Sequence, residues 1–134
     1  MEIETQATVW ERARGRCEYC GKPQRDAGLV QFHIEHIYAR KHGGTDELQN
    51  LCLSCADCNW AKGSNLSGLV DGKIVPLFHP RRQTWTRHFH WDGAILVGRT
   101  LCGKATIHVL NINAARRVRM RRILIDEGRF LSED

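Results

Sequence analysis

Two C-x-x-C pairs, Cys17-Glu18-Tyr19-Cys20 and Cys55-Ala56-Asp57-Cys58, bracket the stretch Phe32-His33-Ile34-Glu35-His36-Ile37, and Asn59 follows the last cysteine directly. Two thiolates three residues apart can grip one side of a tetrahedral zinc, and a second pair closes the other side. A zinc held this way clamps the ends of a polar segment too short to bury a core of its own. It positions a carboxylate and an imidazole between the clamps, from Glu35 and His36, and an amide just past the last cysteine, from Asn59. A hard-metal ligand set beside a general base suits hydrolysis of a phosphodiester. The competing reading of the cysteines, a redox dithiol, needs only one pair at a helix start. Glu35-His36 alone is a common surface dipeptide, and its place between the two halves of the clamp is what gives it weight.

These groups need elements to hold them. Thr5 is placed to cap a helix over residues 7–14, ended by Gly15, with Val9, Trp10 and Ala13 on its apolar face. Residues 22–29, with Pro23 and Gly28, read as a loop. Residues 30–37 alternate Val30, Phe32 and Ile34 with Gln31, His33 and Glu35, which predicts a strand with His33 and Glu35 on one face and His36 on the other, unless the strand twists or breaks there. Residues 40–46, carrying Gly43-Gly44, form a loop, and 50–54 a second strand. A short helix over 56–62 is stopped by Gly63. It places Cys55 and Cys58 on one face, and likewise Asn59 and Lys62.

After Ser64 the chemistry thins. Asp71-Gly72 marks a turn. Residues 85–91 and 94–97 read as strands joined at Asp92-Gly93. Residues 103–110 read either as a strand, from their β-branched content, or as a helix capped by Thr100. Asn113 is placed to cap a helix over 114–126 that carries five arginines in residues 116–122. Arg117 and Arg121 share a face there. That face could bind phosphate or be solvated. Lys62 has the same two readings. Trp60, Trp85 and Trp91 could stack on bases or fill a core. His79, His88, His90 and His108 show no ligand spacing and read as structural.

The chain has 134 residues, 42% of them hydrophobic, and a net charge of +5. That supports a modest core and permits an anionic partner. No apolar run approaches a membrane span. The acidic Met1-Glu2-Ile3-Glu4 start has no apolar leader, so a cytoplasmic location is expected. In a reducing compartment, paired cysteines point to metal and not to disulfides. Cys52 and Cys102, outside the pairs, read as buried thiols acting as small hydrophobes.

From Cys17 to Gly63 the chain resembles the HNH endonucleases, the ββα-metal nucleases. The shared features, in order, are a C-x-x-C, an acidic residue and His before Ile, a Gly-Gly loop, Asn50-Leu51, a second C-x-x-C running into Asn59, and Lys62-Gly63. The resemblance implies His36 as general base and Glu35 and Asn59 as ligands of a catalytic Mg²⁺ or Mn²⁺. It also implies that Asn50 holds the loop bearing His36, and that the Zn²⁺ at Cys17, Cys20, Cys55 and Cys58 is structural. His33 is a candidate extra ligand, with a hydrogen-bonded structural histidine as the alternative. Two positions depart from the family pattern: Glu35 stands where Asp is usual, and Ile37-Tyr38-Ala39 lacks the usual proline.

The expected fold is α+β, a zinc-clamped ββα-metal core over residues 1–66 with a strand and helix extension over 67–134. The expected function is metal-dependent hydrolysis of DNA, with RNA left open, by a monomer or homodimer with no membrane partner. The alternative is a non-catalytic zinc-stabilised module that binds nucleic acid.

Overall fold

The computed structural model describes residues 1–130. The fold class is α+β: helices and small antiparallel strand pairs divided between two compact units. The first unit comprises Met1–Ser64 with His79–Arg82, and the second Asn65–Phe78 with Gln83–Asp134. Residues 131–134, the end of the expected extension, lie outside the described residues.

In the first unit, helix α1 (Ile3–Ala13) starts earlier than Thr5 would allow as a cap. Glu2 is the N-cap and makes no side-chain capping bond. Its apolar face drives the helix onto the unit's core, with Val9 fully buried and Trp10 stacked on Phe32 at 6.4 Å between ring centroids. Arg12 ties the helix to the strands by donating to the Leu51 carbonyl. Strand β1 (His33–His36) is shorter than the alternation predicts, because Val30 is exposed and pairs with no strand. Strand β2 (Leu51–Ser54) runs antiparallel to it, with Glu35 opposite Cys52 and His36 opposite Leu51. Helix α2 (Ala56–Lys62) follows at once, its N-terminus capped by the Cys55 sulfur and its end marked by Gly63.

The loop from β1 to β2 is closed by Asn50. Its side chain accepts from Tyr38 N at 2.8 Å and donates to Tyr38 O at 3.0 Å and Thr45 O at 2.8 Å. Only glycine fits at position 44, where a Cβ would sit 1.6 Å from the Tyr38 carbonyl oxygen. The His79–Arg82 segment joins this unit through an Arg81–Glu18 ion pair and through Arg82 over the Tyr38 ring.

The second unit holds two hairpins, β3–β4 (Ser67–Val70, Lys73–Pro76) and β5–β6 (Phe89–Asp92, Ile95–Gly98). The single turn α3 (Trp85–His88) replaces the first half of the strand predicted over 85–91. Helix α4 (Leu101–Val109) settles the ambiguous segment: the Thr100 hydroxyl accepts from Gly103 N, the capping arrangement that favours helix over strand. Helix α5 (Ala115–Asp126) is not capped by Asn113. That side chain instead bonds both backbone groups of Leu96, which ties it to β6. Trp85 and Trp91 belong to an aromatic cluster with Phe89 and Phe130, which fixes them as packing residues.

Candidate active site and metal centre

The first C-x-x-C lies on the turn after α1, and the second at the entry to α2. Glu18, inside the first pair, brings them together: its amide donates to the Leu53 carbonyl at 2.9 Å and its carboxylate accepts from Leu53 N at 2.8 Å. The four sulfurs of Cys17, Cys20, Cys55 and Cys58 lie within 4.8 Å of one another, all on buried residues. A tetrahedral zinc with Zn–S bonds near 2.3 Å needs sulfurs roughly 3.8 Å apart. Cys20 and Cys55 are 3.7 Å apart. The Cys20 and Cys58 amides point at the Cys17 and Cys55 sulfurs, at 3.5 and 3.4 Å, as donors suited to thiolates. Burial pushes the Cys17 thiol well up, and its hydrogen bonds with the other three thiols push the same way. Four thiolates in one dry pocket therefore need a cation, and the cluster fits zinc.

Glu35, His36 and Asn59 line one open cleft of roughly 320 Å³, with Arg40 at its edge. Their roles differ with their surroundings. Glu35 is buried, and its Oε2 accepts from the Tyr19 hydroxyl at 2.8 Å, with the Cys52 thiol at 3.6 Å and Lys62 Nζ at 3.9 Å. Burial raises its carboxyl above the usual range, and the Lys62 charge and Tyr19 hydroxyl pull against that rise. Its Oε1 is buried with no hydrogen-bond partner among the described residues. A carboxylate with an unpaired buried oxygen, on a residue that lines the same cleft as the Asn59 side chain, fits a hard divalent cation, which takes oxygen ligands and keeps water in its remaining positions.

His36 is the last residue of β1 and lines the same cleft as Glu35, although simple alternation puts the two on opposite faces. Its Nε2 lies 2.7 Å from Asp46 Oδ1. Arg40 Nη2 donates to both Asp46 oxygens, at 2.7 and 2.8 Å. The hydrogen bond to His36, then the Arg40 charge, hold the Asp46 carboxyl below the usual aspartate range.

Several expected site residues are placed elsewhere. Lys62 is only 1% exposed and donates to the Ile37 carbonyl at 2.9 Å, so its ammonium is turned inward and does not offer phosphate a contact. Arg117 and Arg121, expected on a phosphate-binding face, are 6% and 7% exposed. Arg117 donates to the Leu110 and Asn111 carbonyls. Arg121 donates to the Ala94 and Ile112 carbonyls and to Asn113, and lies over the Trp91 ring. Their guanidiniums satisfy turns that would otherwise bury bare carbonyls. His33 is exposed on β1 and does not line the cleft that Glu35 reaches. Asn50 lies in the loop, outside the cleft. Cys52 is buried as expected, but against the Glu35 carboxylate and not in an apolar niche. Three residues around the cleft carried no readable signal: Tyr19, inside the first C-x-x-C, and Arg40 and Asp46, in a loop whose composition marks only a turn.

The sequence model described as HNH endonuclease matches residues 17–65. Among curated proteins the chain is similar to the Septu protein PtuB of Bacillus thuringiensis, 29% identical over 117 residues, covering 86% of this chain and 43% of that protein. It is also similar to the Septu protein PtuA of Bacillus mycoides, 26% identical over 138 residues, covering 80% of this chain and 19% of that one. The chain thus spans less than half the length of either relative. No solved structure gives a significant match. A strand pair and helix closed on four cysteines, with the acidic, histidine and asparagine positions gathered at one cleft, make up the stretch of this chain, residues 17–65, that matches the HNH endonuclease model.

Proposed function

We propose that the chain is a metal-dependent endonuclease that hydrolyses DNA phosphodiester bonds. One observation carries the reading: Glu35, with a buried unpaired oxygen, shares a single cleft with His36 and Asn59 inside the HNH segment. Glu35 and Asn59 are the residues that would hold Mg²⁺ or Mn²⁺. When bound, such a cation stabilises the charge that develops on the phosphate and the leaving 3′ oxygen. His36 accepts a proton from the attacking water, whose oxygen bonds to phosphorus as the bond to the 3′ oxygen breaks. Tyr19 and Lys62 hold Glu35 in place from behind. Asn50 keeps the loop after β1 closed, and the zinc at the four cysteines is structural. We assign the chemistry to residues 1–66 and an accessory role to 67–134.

One cleft of this kind cuts one strand per event, so a double-strand break requires a homodimer or two encounters. Among the described residues no helix is long and apolar enough to cross a membrane. The test is plasmid nicking by the purified chain with Mg²⁺ or Mn²⁺, stopped by EDTA. Protein that binds the plasmid but leaves it intact with both metals would overturn the enzymatic reading in favour of a zinc-stabilised binding module.

A further inference from the structure

We propose that Asp46 is a positioning residue for His36, fixing both the tautomer and the direction of the imidazole, with Arg40 bracing the carboxylate. The inference rests on the nuclease reading above and extends it to a residue outside the family's motif positions.

The geometry is a three-part chain from Arg40 through Asp46 to His36. An ionised carboxylate only accepts hydrogen bonds. With Asp46 Oδ1 at 2.7 Å, Nε2 must therefore carry the ring proton. The neutral ring then has its lone pair on Nδ1, which makes no hydrogen bond to any described residue. A general base needs this state: one nitrogen anchored, the other free to take a proton. His36 lines the cleft that Glu35 and Asn59 also reach. Arg40 donates to both carboxylate oxygens, which prevents Asp46 from turning away and offsets a negative charge that would otherwise face an incoming phosphate.

Fold stability does not account for this arrangement. Asp46 and Arg40 have side chains 48% and 68% exposed. Ion pairs this wet add little to stability, because water screens the charges. The loop is already closed by the three Asn50 hydrogen bonds and by Gly44 N on the Ala39 carbonyl. Asp46 is thus placed where it adds little to the fold and much to the orientation of one ring.

The experiment compares wild type, Asp46→Asn, His36→Ala and the double variant in single-turnover plasmid cleavage, with a metal titration of each. An amide can donate to Nε2 and so admit the wrong tautomer. Asp46→Asn should lower the rate constant by about tenfold or more, within the roughly 10²–10⁴-fold that general-base catalysis supplies. KM and the metal concentration at half-maximal rate should not move. In the His36→Ala background the same change should cost nothing, because Asp46 acts only through the ring. An equal loss in both backgrounds, or wild-type cleavage by Asp46→Asn, would overturn the proposal.

A nitrogen-15 spectrum of the His36 ring at mildly alkaline pH decides the matter even if the wild-type chain cuts nothing. It should show Nε2 protonated in wild type and a rise of the Nδ1-protonated form in Asp46→Asn. An unchanged spectrum refutes the role of Asp46, whereas absent cleavage with the shifted spectrum refutes only the nuclease reading.

Discussion

Lys62 Nζ lies 3.9 Å from Glu35 Oε2, and both side chains are all but shut off from water. Replacing Lys62 by Met keeps the bulk and removes the cation, leaving a buried carboxylate uncompensated. The loss should be about 3–5 kcal/mol at neutral pH, read from the denaturant midpoint of the zinc-loaded protein. Glu35 sets the sign with pH, because burial raises its folded pKa. A group raised in this way favours the fold when protonated and loses that advantage as pH rises through its folded value. The Lys62→Met deficit should therefore shrink as pH falls toward the ordinary glutamate range. A deficit independent of pH would show that Lys62 acts through packing alone.

The four-cysteine cluster should bind about one zinc per chain by elemental analysis. Structural zinc supplies roughly 10–16 kcal/mol in small domains, so Cys58→Ser should lose the metal and unfold the first unit. A strong chelator should do the same to wild type. Cys58→Ser protein that kept zinc and its full melting temperature would remove Cys58 from the ligand set.

His36→Ala should leave zinc content and circular dichroism unchanged, because the ring is partly exposed and its polar partner is the exposed Asp46 carboxylate. Cleavage should fall by about a hundredfold or more while DNA binding survives. Wild-type cleavage by this variant would show that another group takes the proton.

Glu35→Ala and Asn59→Ala should both raise the metal concentration needed for half-maximal rate. The carboxylate change should have the larger effect, since it offsets the cation's charge. Glu35→Asp probes the departure from the family's usual residue. Tyr19 and Lys62 are placed around the longer side chain, so the shortened one should be impaired as well. Metal titrations superimposable on wild type for both alanine variants would clear these residues from the metal site.

Replacing Arg117 and Arg121 by Gln should destabilise the second unit and leave the salt dependence of DNA binding unchanged. Each substitution strands buried carbonyls that the guanidiniums now satisfy, at about 1–3 kcal/mol per unpaired group. Any phosphate binding by α5 falls to exposed arginines such as Arg119 and Arg122. Their removal should flatten the salt slope by about 0.9 for each phosphate no longer neutralised. Thermal melts and binding isotherms at several salt concentrations separate the two effects.

What the sequence determined by itself is whatever depends on spacing along the chain. The two C-x-x-C pairs identify the sulfur cluster, because three-residue spacing on a tight turn or helix start brings two sulfurs to one point. Gly63 ends α2 where the helix pattern stops. The Asp92-Gly93 hairpin and the Thr100 cap were readable for the same reason, since turn and cap chemistry acts within four residues.

What only the tertiary structure decided is where each charge ends. A lysine or arginine reads the same in a sequence whether it meets water or a carbonyl. Lys62 turned inward because strand pairing buried Glu35 and left the Ile37 carbonyl facing it. Arg117 and Arg121 did so because the chain around Leu110–Asn113 and at Ala94 leaves carbonyls that packing shuts away from water. Asp46 meets His36 because the loop closes on Asn50, across ten residues that carry no periodic signal. Local spacing is written in the order of residues. The partner of a buried or bridging charge is set by which backbone groups the fold leaves unsatisfied beside it.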